Sequence, residues 1–312
     1  MSVLICGSIA YDNIMVFRGR FRDHILPDQI HILNVAFLVP DMRQELGGCA
    51  GNIAYNLKLI GGEPLIMATV GRDFDRYRAR LAANGLDPRY ITEIPEALTA
   101  QAYITTDLDD NQITAFHPGA MEHAHVNRVP VAAGIDIGVV SPDGRQGMIE
   151  HAAQFAAAGI PYLFDPGQGL PMFDGEDLRR FISQAAWVTV NDYEGRLLTE
   201  RSGWSEAEIA GQVRALVVTR GGQGSTIFTG GRRIDIPPVS PVRIADPTGC
   251  GDAYRAGLLY GIGRNLAWEE TGRLASLIGS LKIAEKGTQN HHFTPASLMA
   301  GYRAAFGQAI AL

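Results

Sequence analysis

Strand-length apolar runs alternate with helical patterns along most of the 312 residues. Val3–Gly7 reads as a strand and Gly48–Leu59 as a helix, followed by a strand over Pro64–Val70 and a helix over Asp73–Asn84. The alternation resumes with Ile135–Val140, Gln146–Ala158, Pro161–Asp165 and Leu178–Ala185, in the order strand, helix, strand, helix. Trp187–Val190 and Ala215–Thr219 are further short strands, with helices over Glu194–Glu200 and Glu206–Gln212 between them. The last third is helical, over Asp252–Gly263, Ala267–Lys286 and Pro295–Gln308. Strands that stay apolar throughout and alternate with helices predict an α/β fold with a mostly parallel sheet covered on both faces. Ligands of such sheets collect at the carboxyl ends of the strands.

Two stretches break the alternation. Ile14–Val39 carries β-prone runs (Ile14–Phe17 and Ile30–Val39) with little helical periodicity, and Ala100–Phe116 does the same around a turn at Asp107–Asn111. The expectation is a small β-sheet lid, formed by about 13–44 and 99–119, lying over the active face of one domain that spans 1–312. The alternative is a pair of ordinary surface hairpins.

Composition narrows the chemistry. With 46% hydrophobic and 19% charged residues, the chain supports a sizeable core. The net charge of −6 comes with no basic stripe, which argues against nucleic acid as a partner. No run of about 18 apolar residues is present to span a membrane. Cys6, Cys49 and Cys250 are far apart with no C-x-x-C pair, which fits a reducing, cytoplasmic setting. Lysine is confined to Lys58, Lys282 and Lys286, and no G-x-x-x-x-G-K-[ST] loop occurs. Any phosphate must therefore be handled by backbone amides, Mg²⁺ and arginine. Gly7 and Asp12 do not complete a G-x-G-x-x-G dinucleotide fingerprint.

The segment Asp246-Pro247-Thr248-Gly249-Cys250-Gly251-Asp252 opens an apolar helix. Pro247 imposes an extended approach from Asp246, and Gly249 and Gly251 let a ligand come close to the backbone. The unpaired first amides of the helix and its dipole make an anion site, with Asp252 inside a field that favours its ionised form. A carboxylate beside a cradled phosphate is placed to take a proton from an attacking hydroxyl. The other reading is a Gly-rich turn with a capping Asp. Arg255, three residues on, either steadies transferred charge or pairs with Asp252.

Three further clusters lie at predicted strand ends. Gly47-Gly48-Cys49-Ala50-Gly51-Asn52 opens a helix with small residues and one amide donor and acceptor, and Asp12 follows the first strand where a polyol is often held. Asn191 and Glu194 share a helix face, as a cap or as a water-mediated Mg²⁺ site. Thr219-Arg220-Gly221-Gly222-Gln223-Gly224 is either a hairpin loop or a backbone surface for phosphate or adenine. Asp165-Pro166-Gly167-Gln168 ends a strand with Gln168 aimed at the same edge. The eight histidines show no metal-binding spacing.

In this order, the motifs resemble the ribokinase-like (pfkB-type) carbohydrate kinases; within them, the stretch TDLDDNQITAFHPGAM from Thr106 to Met121 and Asp165-Pro166-Gly167-Gln168 look like the bacterial and archaeal nucleoside kinases of adenosine-kinase type. Gly47-Gly48-x-x-x-Asn52 matches the N-terminal signature, Asp246–Asp252 the D-x-T-G-A-G-D signature and Asn191–Glu194 the N-x-x-E motif. The resemblance implies a three-layer α/β/α domain with a lid and transfer of phosphate from ATP to a ribose 5′-hydroxyl. Asp252 would be the base, and the amides of Gly249, Cys250 and Gly251 the anion hole. Asp12, Gly48 and Asn52 would hold the ribose, and Gln112, Phe116 and Gln168 would surround the nucleobase. Asn191, Thr219, Gly221, Gly224 and Asn290 would bind ATP, Glu194 would serve Mg²⁺ through water, and Asp246 a monovalent cation such as K⁺. The lid would exclude water and pair across a homodimer. Cys250 departs from the usual alanine; the helix amides would lower its thiol pKa, so that alkylation inactivates the enzyme and ATP protects, or the thiol is buried and inert. A free sugar or sugar phosphate is the alternative acceptor, with Arg18, Arg20, Arg22 and Arg43 available as a clamp. A non-catalytic ribonucleoside sensor is the alternative outside enzymes.

Overall fold

The computed structural model describes residues 1–25, 34–109 and 111–311. The large sheet contains β1 (Ser2–Cys6), β4 (Glu63–Gly71), β5 (Tyr90–Ile94), β8 (Ile137–Val140), β9 (Tyr162–Phe164), β10 (Trp187–Asn191), β11 (Ala215–Thr219), β12 (Ser225–Thr229) and β13 (Arg232–Ile236). Its order is β13-β12-β11-β10-β9-β8-β1-β4-β5. All neighbours from β11 to β5 run parallel, and β12 and β13 add an antiparallel edge. Helices α1 (Cys49–Ile60), α2 (Asp75–Ala83), α7 (Cys250–Gly263), α8 (Trp268–Ile283) and α9 (Pro295–Phe306) contribute to one buried cluster. Helices α3 (Arg145–Ala157), α4 (Gly175–Gln184), α5 (Asp192–Ser202) and α6 (Glu206–Gln212) contribute to the other. The layers are therefore α/β/α. Among the described residues, no helix is long and apolar enough to cross a membrane.

A second sheet of four strands stands apart, in the order β3-β2-β6-β7, made of β2 (Ala10–Val16), β3 (Asp41–Gly47), β6 (Ala100–Thr106) and β7 (Gln112–His117). Only Gly7, Ser8 and Ile9 separate β1 from β2, so the chain passes from the large sheet to the small one almost at once. A polar chain fixes one face of the small sheet. Gln44 Nε2 donates to Asn13 Oδ1 at 3.0 Å, Asn13 Nδ2 to Gln101 Oε1 at 3.1 Å, and Gln101 Nε2 to Asp73 Oδ2 at 3.2 Å.

The sequence pattern differs from the structure in places that have physical reasons. Residues 34–40 form no strand, and β3 starts only after Pro40, which lacks the N–H a ladder needs. The rest of the β-prone run before it, Ile30 to Leu33, lies outside the described residues, as does Asp110 of the predicted turn. The edge strands β5 and β13 escape the apolar-run criterion because they carry polar, partly exposed residues. The Ala267–Lys286 helix ends at Ile283, and the last helix stops at Phe306, before Gly307 at φ 69°.

Candidate active site

The carboxyl ends of β9, β10 and β11 deliver Asp165, Asn191 and Thr219 to one edge of the large sheet, and α7 starts there. Gly249, at φ 77°, turns the chain into α7 in a left-handed conformation that favours glycine. Asp252 sits half-buried in the first turn, and Asn52 Nδ2 on α1 donates to its Oδ2 at 2.8 Å. Gln289 Nε2 in turn donates to Asn52 Oδ1 at 3.0 Å. Two of the predicted sites, 200 residues apart in sequence, are thus joined by one hydrogen bond.

The field at Asp252 differs from the expected one. Burial pushes its carboxyl up to about 7; the Asn52 hydrogen bond and Arg255 oppose this, while Asp165 and Asp12 add to it. Desolvation outweighs the helix dipole, so the group is poised near neutrality instead of being held ionised. Arg255 does not pair with Asp252. Its guanidinium makes a two-pronged bond to Asp165, Nε to Oδ2 at 3.1 Å and an Nη to Oδ1 at 2.9 Å, with side-chain exposures of only 6% and 4%. The same guanidinium lies 3.9 Å from Glu194 Oε2.

Cys250 is also corrected. Burial pushes its thiol up to about 11, because the neighbouring Asp246 and Asp252 oppose a thiolate and Lys282 compensates only in part. The shift runs opposite to the one expected from the helix amides and favours the inert alternative, although the thiol is only partly buried.

Asp12 lies within β2 and not just after β1. Register puts Asp12 opposite Glu45 on β3 and Ala102 on β6, and Ala102 opposite Phe116 on β7, so Asp12 and Phe116 share one face of the small sheet. Gln112 lies on that face as well, four residues from Phe116. Among the described residues, the Asp12 carboxylate accepts no hydrogen bond. Burial, then Asp246 and Glu45, pushes it up to about 6. A Cβ on Gly47 would stand 2.5 Å from Asp12 Oδ2, and one on Gly48 (φ 88°) 2.5 Å from Ser8 O, so Gly47 leaves room for the Asp12 carboxylate and Gly48 for close backbone packing.

On the other side, Asn191 and Glu194 form a full capping box: Asn191 Oδ1 accepts the Glu194 N–H at 2.7 Å and Glu194 Oε2 the Asn191 N–H at 2.8 Å. Burial raises the Glu194 carboxyl and Arg255 opposes it. Thr219 pairs in register with Asn191. Gly221 (φ 51°) faces open space, whereas Gly224 (φ 83°) is required by close packing against the Ile236 carbonyl. The 220–224 segment is also a hairpin loop, with Arg220 N–H donating to Gly224 O at 2.8 Å. Gln168 is exposed in a short 3₁₀ turn. Asn290 turns to the small sheet, donating to Glu45 Oε2 at 3.0 Å.

Residues 12–295 match the pfkB family carbohydrate kinases. The chain belongs to that family. Among its pfkB relatives, a nucleoside kinase of Methanocaldococcus jannaschii is 31% identical over 83% of this chain and 85% of its own. The structure of Burkholderia thailandensis nucleoside kinase in complex with inosine is 54% identical, covering 98% of this chain and 99% of that one, with a TM-score of 0.91. The same enzyme in complex with ADP-inosine superposes with a TM-score of 0.89 at 55% identity, covering 98% and 97% of the two chains.

This pfkB kinase also holds residues in contact with the candidate site that pattern reading passes over. Asp165 was visible only as part of a strand-end turn that pointed to Gln168. Glu45 sits in a polar edge strand. Gln289 and the buried Lys282 lie after or late in α8, in positions with no motif. Their signal is three-dimensional: each is placed by a contact more than 30 residues distant in sequence.

Proposed function

We propose that the chain is an ATP-dependent nucleoside kinase that phosphorylates the ribose 5′-hydroxyl. The 54% identity to a nucleoside kinase solved with inosine, across 98% of the chain, carries this reading. Asp252 takes the hydroxyl proton, the freed oxygen attacks the γ-phosphorus of ATP in line, and ADP leaves. A base near pH 7 combines adequate ionisation with driving force for proton transfer, and the position of Asp252 at about 7 supports the role. The amides of Gly249, Cys250 and Gly251 receive the phosphoryl charge at the start of α7.

The unpartnered Asp12 carboxylate accepts ribose hydroxyls, with Gly48 and Asn52 beside it. Phe116 offers a ring for the nucleobase, and Gln112, on the same face, and Gln168 its hydrogen bonds. Asn191, Thr219 and Gly221 serve ATP, Gly224 shapes their loop, and Asn290 acts from the lid side. Glu194 fits Mg²⁺ held through water, since its cap uses Oε2 and leaves Oε1 for a hydrated ion. Bound Mg²⁺ would neutralise phosphate charge. The small sheet acts as the lid and as the face through which two copies pair, in a cytoplasmic enzyme.

A phosphosugar acceptor is less favoured because most arginines of the small-sheet region already face carboxylates; the exposed Arg22 is held only loosely, 3.8 Å from Asp109. Arg18 pairs with Asp41 and Arg20 with Asp109, and Arg43 stands between Glu45 and Asp246. The deciding experiment is a screen of nucleosides, ribose and sugar phosphates with ATP and Mg²⁺, followed by ³¹P NMR of the products. A nucleoside 5′-monophosphate is expected as the dominant product. Faster phosphorylation of a free sugar would overturn the substrate class, and binding without ADP release would make the chain a sensor.

A further inference from the structure

The resemblance implies a dissolved monovalent cation at Asp246, but each of its oxygens is already engaged, and the Arg43 guanidinium stands 3.9 Å from Oδ2. Oδ1 accepts the Thr248 N–H at 2.9 Å, Oδ2 accepts the Gly287 N–H at 2.9 Å, and the main-chain carbonyl accepts from Lys282 Nζ at 2.7 Å. The same ammonium reaches Glu285 O at 3.4 Å. A second positive charge among these oxygens would have to displace the ammonium or stand against it.

Lys282 is unusual in its own right. It is one of the three lysines of the chain, and its exposure is 0%. A lysine is almost never fully buried unless something holds its charge. Here the two hydrogen-bond partners are carbonyl dipoles, the kind of ligand a bare monovalent cation takes. The Asp246, Asp252 and Glu45 carboxylates and Cys250 offset part of the burial that pulls its pKa down. Its place is mechanical as well. Asp246 and Ala245 both donate their N–H groups to Ile283 O, and Gly287 donates to Asp246, so the turn before the anion hole is laced to the end of α8 around this side chain.

We infer that the Lys282 ammonium is the monovalent cation of this site, built into the chain, and that it makes dissolved K⁺ unnecessary. The inference rests on the kinase reading of the same site. Lys282 acts as a positioning residue: it fixes the Asp246–Gly249 turn, and with it the amides that receive the phosphoryl group.

The test compares nucleoside phosphorylation in KCl, NaCl and tetramethylammonium chloride at about 0.15 M ionic strength. The wild-type rate should agree within about twofold across the three salts, as uniform screening requires. Stimulation by K⁺ of about tenfold or more, one step of the free-energy scale, would overturn the inference. A second reading needs no turnover. The Tm of the wild type should not respond to K⁺ beyond the effect of Na⁺, whereas Lys282→Met, with two bare buried carbonyls, should gain Tm in K⁺ or NH₄⁺ and recover part of its kcat there. A wild-type Tm that rises with K⁺ alone counts against the built-in cation. If Lys282→Met does not fold, the wild-type rate and Tm still decide. If nothing is phosphorylated in any salt, the kinase reading fails, and the Tm comparison remains decisive for Lys282.

Discussion

The large sheet and the small sheet hold their polar side chains in different ways. At the edge of the large one, Arg255 is clasped by Asp165 in a dry pocket, Asn191 and Glu194 cap each other, and Asn52 steadies Asp252. On the small one, Asp12 has no partner among the described residues, every residue of β7 is exposed, and Phe116 is 49% exposed. The first arrangement is finished before any ligand arrives. The second is held by its Gln44–Asn13–Gln101–Asp73 chain on one face and leaves the other, with Asp12 and Phe116, open. On the function proposed above, reaction chemistry would fall to the large sheet and choice of acceptor to the small one.

The comparison can be broken most decisively at Asp252. Asp252→Asn should lower kcat by about 10²–10⁴-fold while nucleoside affinity, by calorimetry, stays close to wild type. A variant that retains its turnover would remove the base from the rigid half. Next in size, Arg255→Met leaves the Asp165 carboxylate buried and unpaired; a loss of about 3–5 kcal/mol in denaturant unfolding is expected. A loss under 1 kcal/mol, typical of an exposed pair, would contradict the dry clasp. Phe116→Ala should raise KM for the nucleoside about tenfold with kcat nearly unchanged, as loss of one stacking ring implies. Were kcat to fall instead, the division between the sheets would be wrong.

Smaller effects sharpen the picture. Asp252, at about 7, must be ionised to take a hydroxyl proton, and Asp12, at about 6, accepts from two hydroxyls more strongly when ionised, so kcat/KM should climb from pH 5.5 to 7.5. Asn52→Ala removes a bond that favours the ionised Asp252, and the acidic limb should move to higher pH. An unmoved limb would separate Asn52 from the base. The smallest effect belongs to Cys250: iodoacetamide at pH 7 should leave activity intact, and Cys250→Ala should stay within about twofold of wild type.

The same contrast explains what could be read from the chain. Buried parallel strands such as β1, β4 and β10 announce themselves as apolar runs, and the D-x-T-G-x-G-D segment declares both its glycines and its carboxylate. Edge strands β5 and β13 were missed because one side of each faces water or a chain end, which erases the pattern. The motif singles out Asp252, which the structure places beside Asn52 at the start of α7; the direction of its pKa shift is not legible there, since the dipole is local and the desolvation comes from distant chain. Arg255 was misassigned for a related reason: helix spacing offers Asp252 as a partner, and the actual one, Asp165, is 90 residues away.

The three residues between β1 and β2 have a mechanical consequence. Ser8 is pinned there, its N–H to Pro142 O at 3.0 Å and its carbonyl accepting the Ala50 N–H at 3.0 Å. Beyond this fulcrum, the seven residues of β2 form a lever of about 23 Å at ~3.3 Å per residue. A pivot of about 10° at Gly7–Ile9 would sweep its far end through about 4 Å, with little change in the strand itself. In the lid we propose, such gearing would turn a small torsional change beside Ser8 into ångströms at the far end of β2, limited by the bonds that tie Gln101 to Asp73 and Arg76 to Gln44.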